Sequence, residues 1–180
     1  MSQIISKLVR GPRMLFQKKQ VASEKSQAGW LPRVLLLWAI TGGVYYLIEG
    51  LWHIGTNGGW ANIVMAPIGG FCGVLVGIMN ENPRFARKKM ILQALYGAAV
   101  LVVVEFISGF IMNIMLGLNI WDYSTMAFNF MGQISLFFVL LWFLLVPFII
   151  WFDDLLRHKL WDQGERYPWY QNYVKLFTFR

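Results

Sequence analysis

Four apolar runs, Arg33–Trp52, Trp60–Met79, Met90–Leu116 and Phe130–Phe152, alternate with short polar or basic stretches along the chain. Each run is near or above the roughly 17–25 residues that a helix needs to cross the hydrocarbon of a bilayer. The pattern predicts an all-α, polytopic bundle of four transmembrane helices. The second run carries Pro67 and a series of glycines, so a broken or re-entrant segment is the alternative there. Neighbouring protein can satisfy the backbone groups that Pro and Gly free, which favours a full span. Three zones follow: a basic interfacial segment over 1–31, the transmembrane domain over 32–152, and an aromatic and basic tail over 153–180.

Within the runs, a few positions break the apolar pattern. Gly69, Gly73 and Gly77 recur every fourth residue, which puts them on one helix face. Two overlapping GxxxG matches of this kind predict close packing against a neighbouring helix, of this chain or of a second copy. Glu49 falls in the outer part of the first run and Glu105 about two thirds of the way along the third. A carboxylate inside a membrane span is costly, and so marks either a functional site or a structural hydrogen bond. Tyr46, Asn129 and Gln133 are candidate partners for Glu105. Asp153 and Asp154, beside Arg157 and Lys159 at the end of the fourth run, read as a solvated charge cluster.

Composition and charge sharpen this picture. The 57% hydrophobic and 14% charged content departs from the roughly 45–50% and 25% of soluble domains in the direction of a membrane protein. Six of the 16 Lys and Arg residues precede the first run and Arg33 opens it, four (Arg84, Arg87, Lys88, Lys89) lie between the second and third, and five follow the fourth. The segments 53–59 and 117–128 have none. The positive-inside bias places both termini and the 84–89 loop in the cytoplasm and the other two loops outside. Attraction to anionic lipid accounts for the net charge of +7, so no nucleic-acid partner is called for. The basic, acid-free first 23 residues suit a helix on the cytoplasmic surface of the cytoplasmic (inner) membrane, with a mitochondrial transit peptide as the alternative.

Candidate chemistry is sparse. There is no P-loop, no G-x-S-x-G elbow, and the isolated His53, His158 and Cys72 offer no metal cluster, so no cofactor, metal or catalytic residue is assigned. An intramembrane hydrolase pairing Asp122 with Glu105 is the one enzymatic reading left open. The polar residues instead concentrate after the third run, in Trp121-Asp122-Tyr123-Ser124 and in Asn129 and Gln133. Each half of the chain holds a Glu followed by a Trp-containing loop, Glu49 with Trp60 and Glu105 with Trp121, which suggests a parallel two-span repeat. The two glutamates would then flank one polar pocket able to bind a cation. Glu49, Glu105, Asp122, Asn129 and Gln133, shaped by Trp121 and Tyr123, are the candidate binding residues.

The order of these residues resembles that of the ABC-transporter type IV (CmpB-like) family of bacterial membrane proteins. Trp121-Asp122-Tyr123-Ser124, Phe128-Asn129, Gly132, Ile134 and Leu136 carry the specific block, with Glu105 and Gly109 ahead of it. Asn57, Gly59, Pro67-Ile68, Gly70 and Phe71 fit an earlier block that Glu49 precedes, and the likeness covers about residues 40–145. Gly58 and Gln133 stand where the family has arginines, Ile63-Val64 where it has Gly-Pro, Gly69 where it has Tyr, and Ser135 where it has Cys. The resemblance implies a permease-like subunit of a transport complex, oligomeric or joined to other membrane subunits and served by a separate ATPase. The competing expectation is a non-transporting interaction protein whose polar residues only pin the outer loop.

Overall fold

The computed structural model describes residues 30–57, 59–163 and 166–179, so the helix expected within the first 29 residues lies outside the described part. The chain divides into a unit up to Leu36 and a unit from Leu37 onward. Residues 30–36 are the largely exposed first turns of a helix, and the bundle described below is the second unit.

Among the described residues the structure is all helical. Helix α1 spans Trp30–Asn57, α2 Met65–Glu81, α3 Pro83–Ala86 and α4 Met90–Gly109. A π-helical turn, Phe110–Met115, prolongs α4, and α5 (Leu136–Trp161) and α6 (Tyr170–Phe177) follow. Three of these helices, α1, α4 with its π turn, and α5, are long and apolar enough to cross a membrane, and α2 is a shorter apolar helix. The chain is thus a polytopic helical membrane bundle, with α2 as its short member. At 17 residues α2 is about 26 Å long, the low end of what a crossing needs.

Pro67 does not break α2, because it lies in the first turn, where no backbone N–H has a helical acceptor. Asn62 sets that start by accepting a bond from the Val64 amide at 3.0 Å. The glycines of α2 serve contacts within this chain. A Cβ at Gly69 would strike Tyr45, one at Gly73 would strike Thr41 at 2.6 Å, and one at Gly77 would strike Asp153 at 2.5 Å. The stripe therefore faces α1 along its first two glycines and α5 at its third. Gly42 of α1 returns the approach, lying against the Ala66 carbonyl and the backbone of Gly70. Val76, Ala94, Leu101 and Val146, all fully buried, join α2, α4 and α5 in one core. Lipid is as apolar as these side chains, so close packing and hydrogen bonds, not hydrophobic segregation, decide how the helices meet.

The fourth apolar run is displaced from its expected bounds. Phe130–Ser135 is loop, closed by a turn with an isolated bridge between Phe130 and Ile134, and the helix begins at Leu136. It then runs past Phe152 to Trp161, where Asp162 ends it in a left-handed conformation. Pro147 sits inside α5 and cannot donate to the helix ladder. The tail packs beside this break: Asn172 donates to the Pro147 carbonyl and Tyr173 to the Leu144 carbonyl, each at 3.0 Å. Helix α6 is thereby braced against the break.

Asp153 and Asp154 are not the solvated cluster that the sequence suggested. Asp153 is 3% exposed and accepts from Arg157 at 2.8 Å, while Glu81 approaches the same guanidinium at 3.3 Å. Asp154 accepts from Asn80 at 2.7 Å and from Tyr167 at 2.5 Å. Burial first, and then the Asp154 bond, push the Tyr167 phenol well above its ordinary value, so it remains a donor. This network ties the end of α2, the end of α5 and the tail together at the basic end of the bundle.

The α1–α2 contact gives a contrast between adjacent glycines. Gly42→Val should lower stability by ~1–3 kcal/mol, because backbone fills the space its side chain would need. Gly43→Ala, with nothing within 4 Å, should hold it or raise it by up to about 1 kcal/mol, the helix propensity that Ala adds. Thermal unfolding of the two variants in detergent checks the pair.

Candidate functional site

A cavity of about 160 Å³ lies between α1 and α5, floored by α2. Helical spacing builds its walls: Thr41, Tyr45 and Glu49 follow one another at i, i+4 on α1, and Leu145, Ile149 and Phe152 do so at i, i+4 and i+3 on α5. Gly69, Cys72 and Gly73 supply the floor. Most of the lining is apolar, and the acidic groups gather at the end nearest the Trp60 and Trp121 loops. Glu49 and Glu105 both line this one cavity.

Glu105 is 8% exposed and its two oxygens have separate donors. Oε2 accepts from the Trp142 indole N–H at 2.8 Å and Oε1 from the Tyr123 hydroxyl at 3.2 Å. Burial, and then the neighbouring Glu105 carboxylate, push the Tyr123 phenol well above its ordinary value, so it keeps its proton and donates. Both donors are held from behind. The Tyr123 ring stacks on Phe138 with centroids 4.4 Å apart, and Trp142 stacks on Tyr45 at 6.0 Å. Glu49 is half-buried, one turn beyond Tyr45 on the same face of α1 and 3.8 Å from His53 one turn on. The expected partners of Glu105, namely Tyr46, Asn129 and Gln133, are engaged elsewhere. Tyr46, for one, meets Trp60 edge to face.

The remaining candidates form a second group that fastens the 116–135 loop. Asn113, pointed inward by the π turn, accepts from the Ile120 amide at 2.6 Å and donates to the Trp121 carbonyl and to Gln133 Oε1. Gln133 in turn donates to the Met131 carbonyl, and its own carbonyl accepts from the Trp121 indole at 3.1 Å. Asp122 accepts from the Ser124 amide and hydroxyl at 2.8 and 2.9 Å. Asn129 donates to the Ser124 and Met126 carbonyls and accepts from the Gly132 amide. A single pocket holding all the polar residues is thus a mistaken expectation. Glu49, Glu105 and Tyr123 reach the cavity, whereas Trp121, Asp122, Asn129 and Gln133 spend their hydrogen bonds on the loop. Asp122 and Glu105 share no partner.

Three important side chains went unnoticed in the sequence. Trp142 and Tyr45 hold Glu105 and its donor, and Asn113 holds the loop. The spacing of Tyr45 and Glu49 at i, i+4 was the available signal for the first wall. The two halves share one local feature. Trp60 packs on Gly50 beside Glu49, and Trp121 packs on Gly109 one turn beyond Glu105. Among the described residues, the second loop is the one latched by a network of side-chain bonds.

A family model described as "Putative ABC-transporter type IV" matches residues 36–179, taking in the cavity, the latched loop and the tail. No curated protein and no solved structure matches the chain.

Asn113→Ala should release the loop. It leaves the Ile120 amide, the Trp121 carbonyl and Gln133 short of partners, a loss of about 1–3 kcal/mol or more. Limited proteolysis should then cut within 116–135 at a rate well above wild type, while cleavage of the 82–89 loop stays unchanged.

Proposed function

Since the chain belongs to that family, we propose that it is a permease-like membrane subunit of a transport complex, with the cavity between α1 and α5 as its binding site. One observation carries the reading: two intramembrane carboxylates from different helices line the same partly open cavity. A purely structural Glu105 would need only its own donors. A second carboxylate, Glu49, which pairs with His53 of its own helix, stands on the opposite wall although Glu105 needs no acid beside it.

The orientation we propose follows the charge bias. Both termini and the loop carrying α3 face the cytoplasm of a bacterial inner membrane, with Arg84, Arg87, Lys88 and Lys89 in that loop and Arg157, Lys159, Arg166 and Lys175 in and after α5. This basic end meets anionic lipid and offers the docking surface for a separate ATPase, because the chain has no P-loop of its own. Further membrane subunits, identical copies included, complete the pathway that so few helices cannot enclose. No residue is assigned a catalytic role and no metal or cofactor is invoked.

The competing reading, a non-transporting interaction subunit, has its own support in the latched loop, whose polar side chains are consumed locally. Purification of the tagged chain from its native membrane separates the two. An ATPase should be recovered with the wild-type chain. Replacing Arg84, Arg87, Lys88 and Lys89 by Gln should reduce that recovery about tenfold or more at low salt. A chain recovered without any ATPase, under conditions that keep its membrane partners bound, overturns the transport reading and leaves the interaction subunit.

A further inference from the structure

The chemistry of the cavity narrows what can occupy it. No Lys or Arg lines it, so its sign is set by Glu49 and Glu105, with His53 meeting Glu49 from the outer side. A small inorganic cation is a poor match. Among the described residues no group of three or more His, Cys, Asp or Glu is gathered to hold a metal ion, and both Glu105 oxygens already accept from Trp142 and Tyr123. The cavity offers ring systems in place of oxygen ligands: Tyr45, Trp52, Tyr123, Phe138 and Trp142 surround its acidic end. Aromatic faces attract bulky, weakly hydrated organic cations, most strongly where water is displaced.

Size and polarity agree. The volume of about 160 Å³ is close to the ~150 Å³ of an engineered cavity that takes benzene. Away from the glutamates the walls are Leu145, Ile149 and Phe152, which bind hydrocarbon and nothing charged. Resting on the reading of this cavity as the transport site, we propose that it binds a lipophilic organic monocation. Its ammonium sits between Glu49 and Glu105, and an apolar body of about the bulk of an aromatic ring packs between α1 and α5. Charge at one end and hydrocarbon at the other fix the orientation of the ligand. Such amphiphiles partition into the bilayer, from which a site between two membrane helices is reached directly.

The probe is radiolabelled benzyltrimethylammonium, bound at equilibrium to the full-length chain in nanodiscs of zwitterionic lipid. Binding should saturate at one site per chain. Unlabelled tetramethylammonium, which has the head alone, should displace it about tenfold less well, and benzyl alcohol and benzenesulfonate should not displace it. Glu105→Gln and Glu49→Gln should each weaken binding about tenfold or more, while Asp162→Asn, a carboxylate at the far end of α5, should leave it unchanged. Glu49→Gln, at the half-buried rim, carries the test if Glu105→Gln does not fold. Displacement by benzyl alcohol, displacement by millimolar sodium, unaltered binding in both glutamate variants, or no saturable binding to folded wild-type chain each overturns the assignment. Recovery of an ATPase without organic-cation binding removes this ligand class and leaves the permease reading standing; binding without an ATPase does the reverse.

Discussion

The arrangement depends on one constraint, the need to satisfy the carboxylate of Glu105 inside a membrane helix. Placing such a group at the centre of a spanning helix costs about 2.5–3.5 kcal/mol on insertion scales. Two hydrogen bonds to it, at ~1.5–3 kcal/mol each, are of the right size to offset that. Neither donor comes from α4 itself. Trp142 belongs to α5 and Tyr123 to the loop between them, so satisfying Glu105 fixes the register of the α4–α5 hairpin and pulls the loop down onto it. The stacks on Tyr45 and Phe138 then hold the two donors in place. The acidic end of the cavity is the space left around this arrangement.

The loop shows the same accounting at the backbone level. Residues 116–135 contain little helix to absorb their amides and carbonyls, and the segment lies where α4 and α5 leave the bilayer. Asn113, Asp122, Asn129 and Gln133 supply those missing partners. The chain also turns through positive φ at Asn119, Phe128, Met131 and Gly132. At Phe128 and Met131 that conformation is unfavourable for a side-chain-bearing residue, so the surrounding bonds must hold it. Gly132 is required twice over, by its φ of 69° and by Asp122 Oδ1 lying 2.7 Å from where a Cβ would be. A dense polar motif can therefore be a fastening device, and most of the Trp121–Gln133 block is one.

This explains what could be read from the sequence and what could not. Spans announce themselves because hydrocarbon demands a long apolar run, and Glu105 stood out because a carboxylate violates that demand. The start of α5 did not, since Phe130, Met131 and Ile134 are as apolar as the helix that follows. The turn shows itself in the backbone bridge between Phe130 and Ile134 and in the bonds of Asn129 and Gln133 to near neighbours. Trp142 was hidden for a related reason: an indole in an apolar run has the same composition whether it faces lipid or donates to a buried acid. The Asp153 and Asp154 network was misread because charges at a helix end are usually solvated. Burying them depends on Gly77, whose missing side chain makes room for Asp153 and which the sequence tied only to helix packing.

Polar bonds and glycine contacts hold different parts of the bundle. The basic end is a closed network in which Asn80 and Glu81 of α2, Asp153, Asp154 and Arg157 of α5, and Tyr167 of the tail hold one another. Helix α6 braces α5 at Leu144 and Pro147, and Glu105 clamps α5 to α4. These elements form one body. Helix α1 meets that body through glycine-faced contacts, the Tyr45–Trp142 stack and a long 3.5 Å contact from Thr41 to the Gly70 carbonyl. Glycine contacts of this kind gain dispersion energy in many small increments, so sliding along them costs less than breaking a buried hydrogen bond. Glu49 stands on α1 and Glu105 on α4, so the seating of α1 on these glycine faces sets the separation of the two carboxylates.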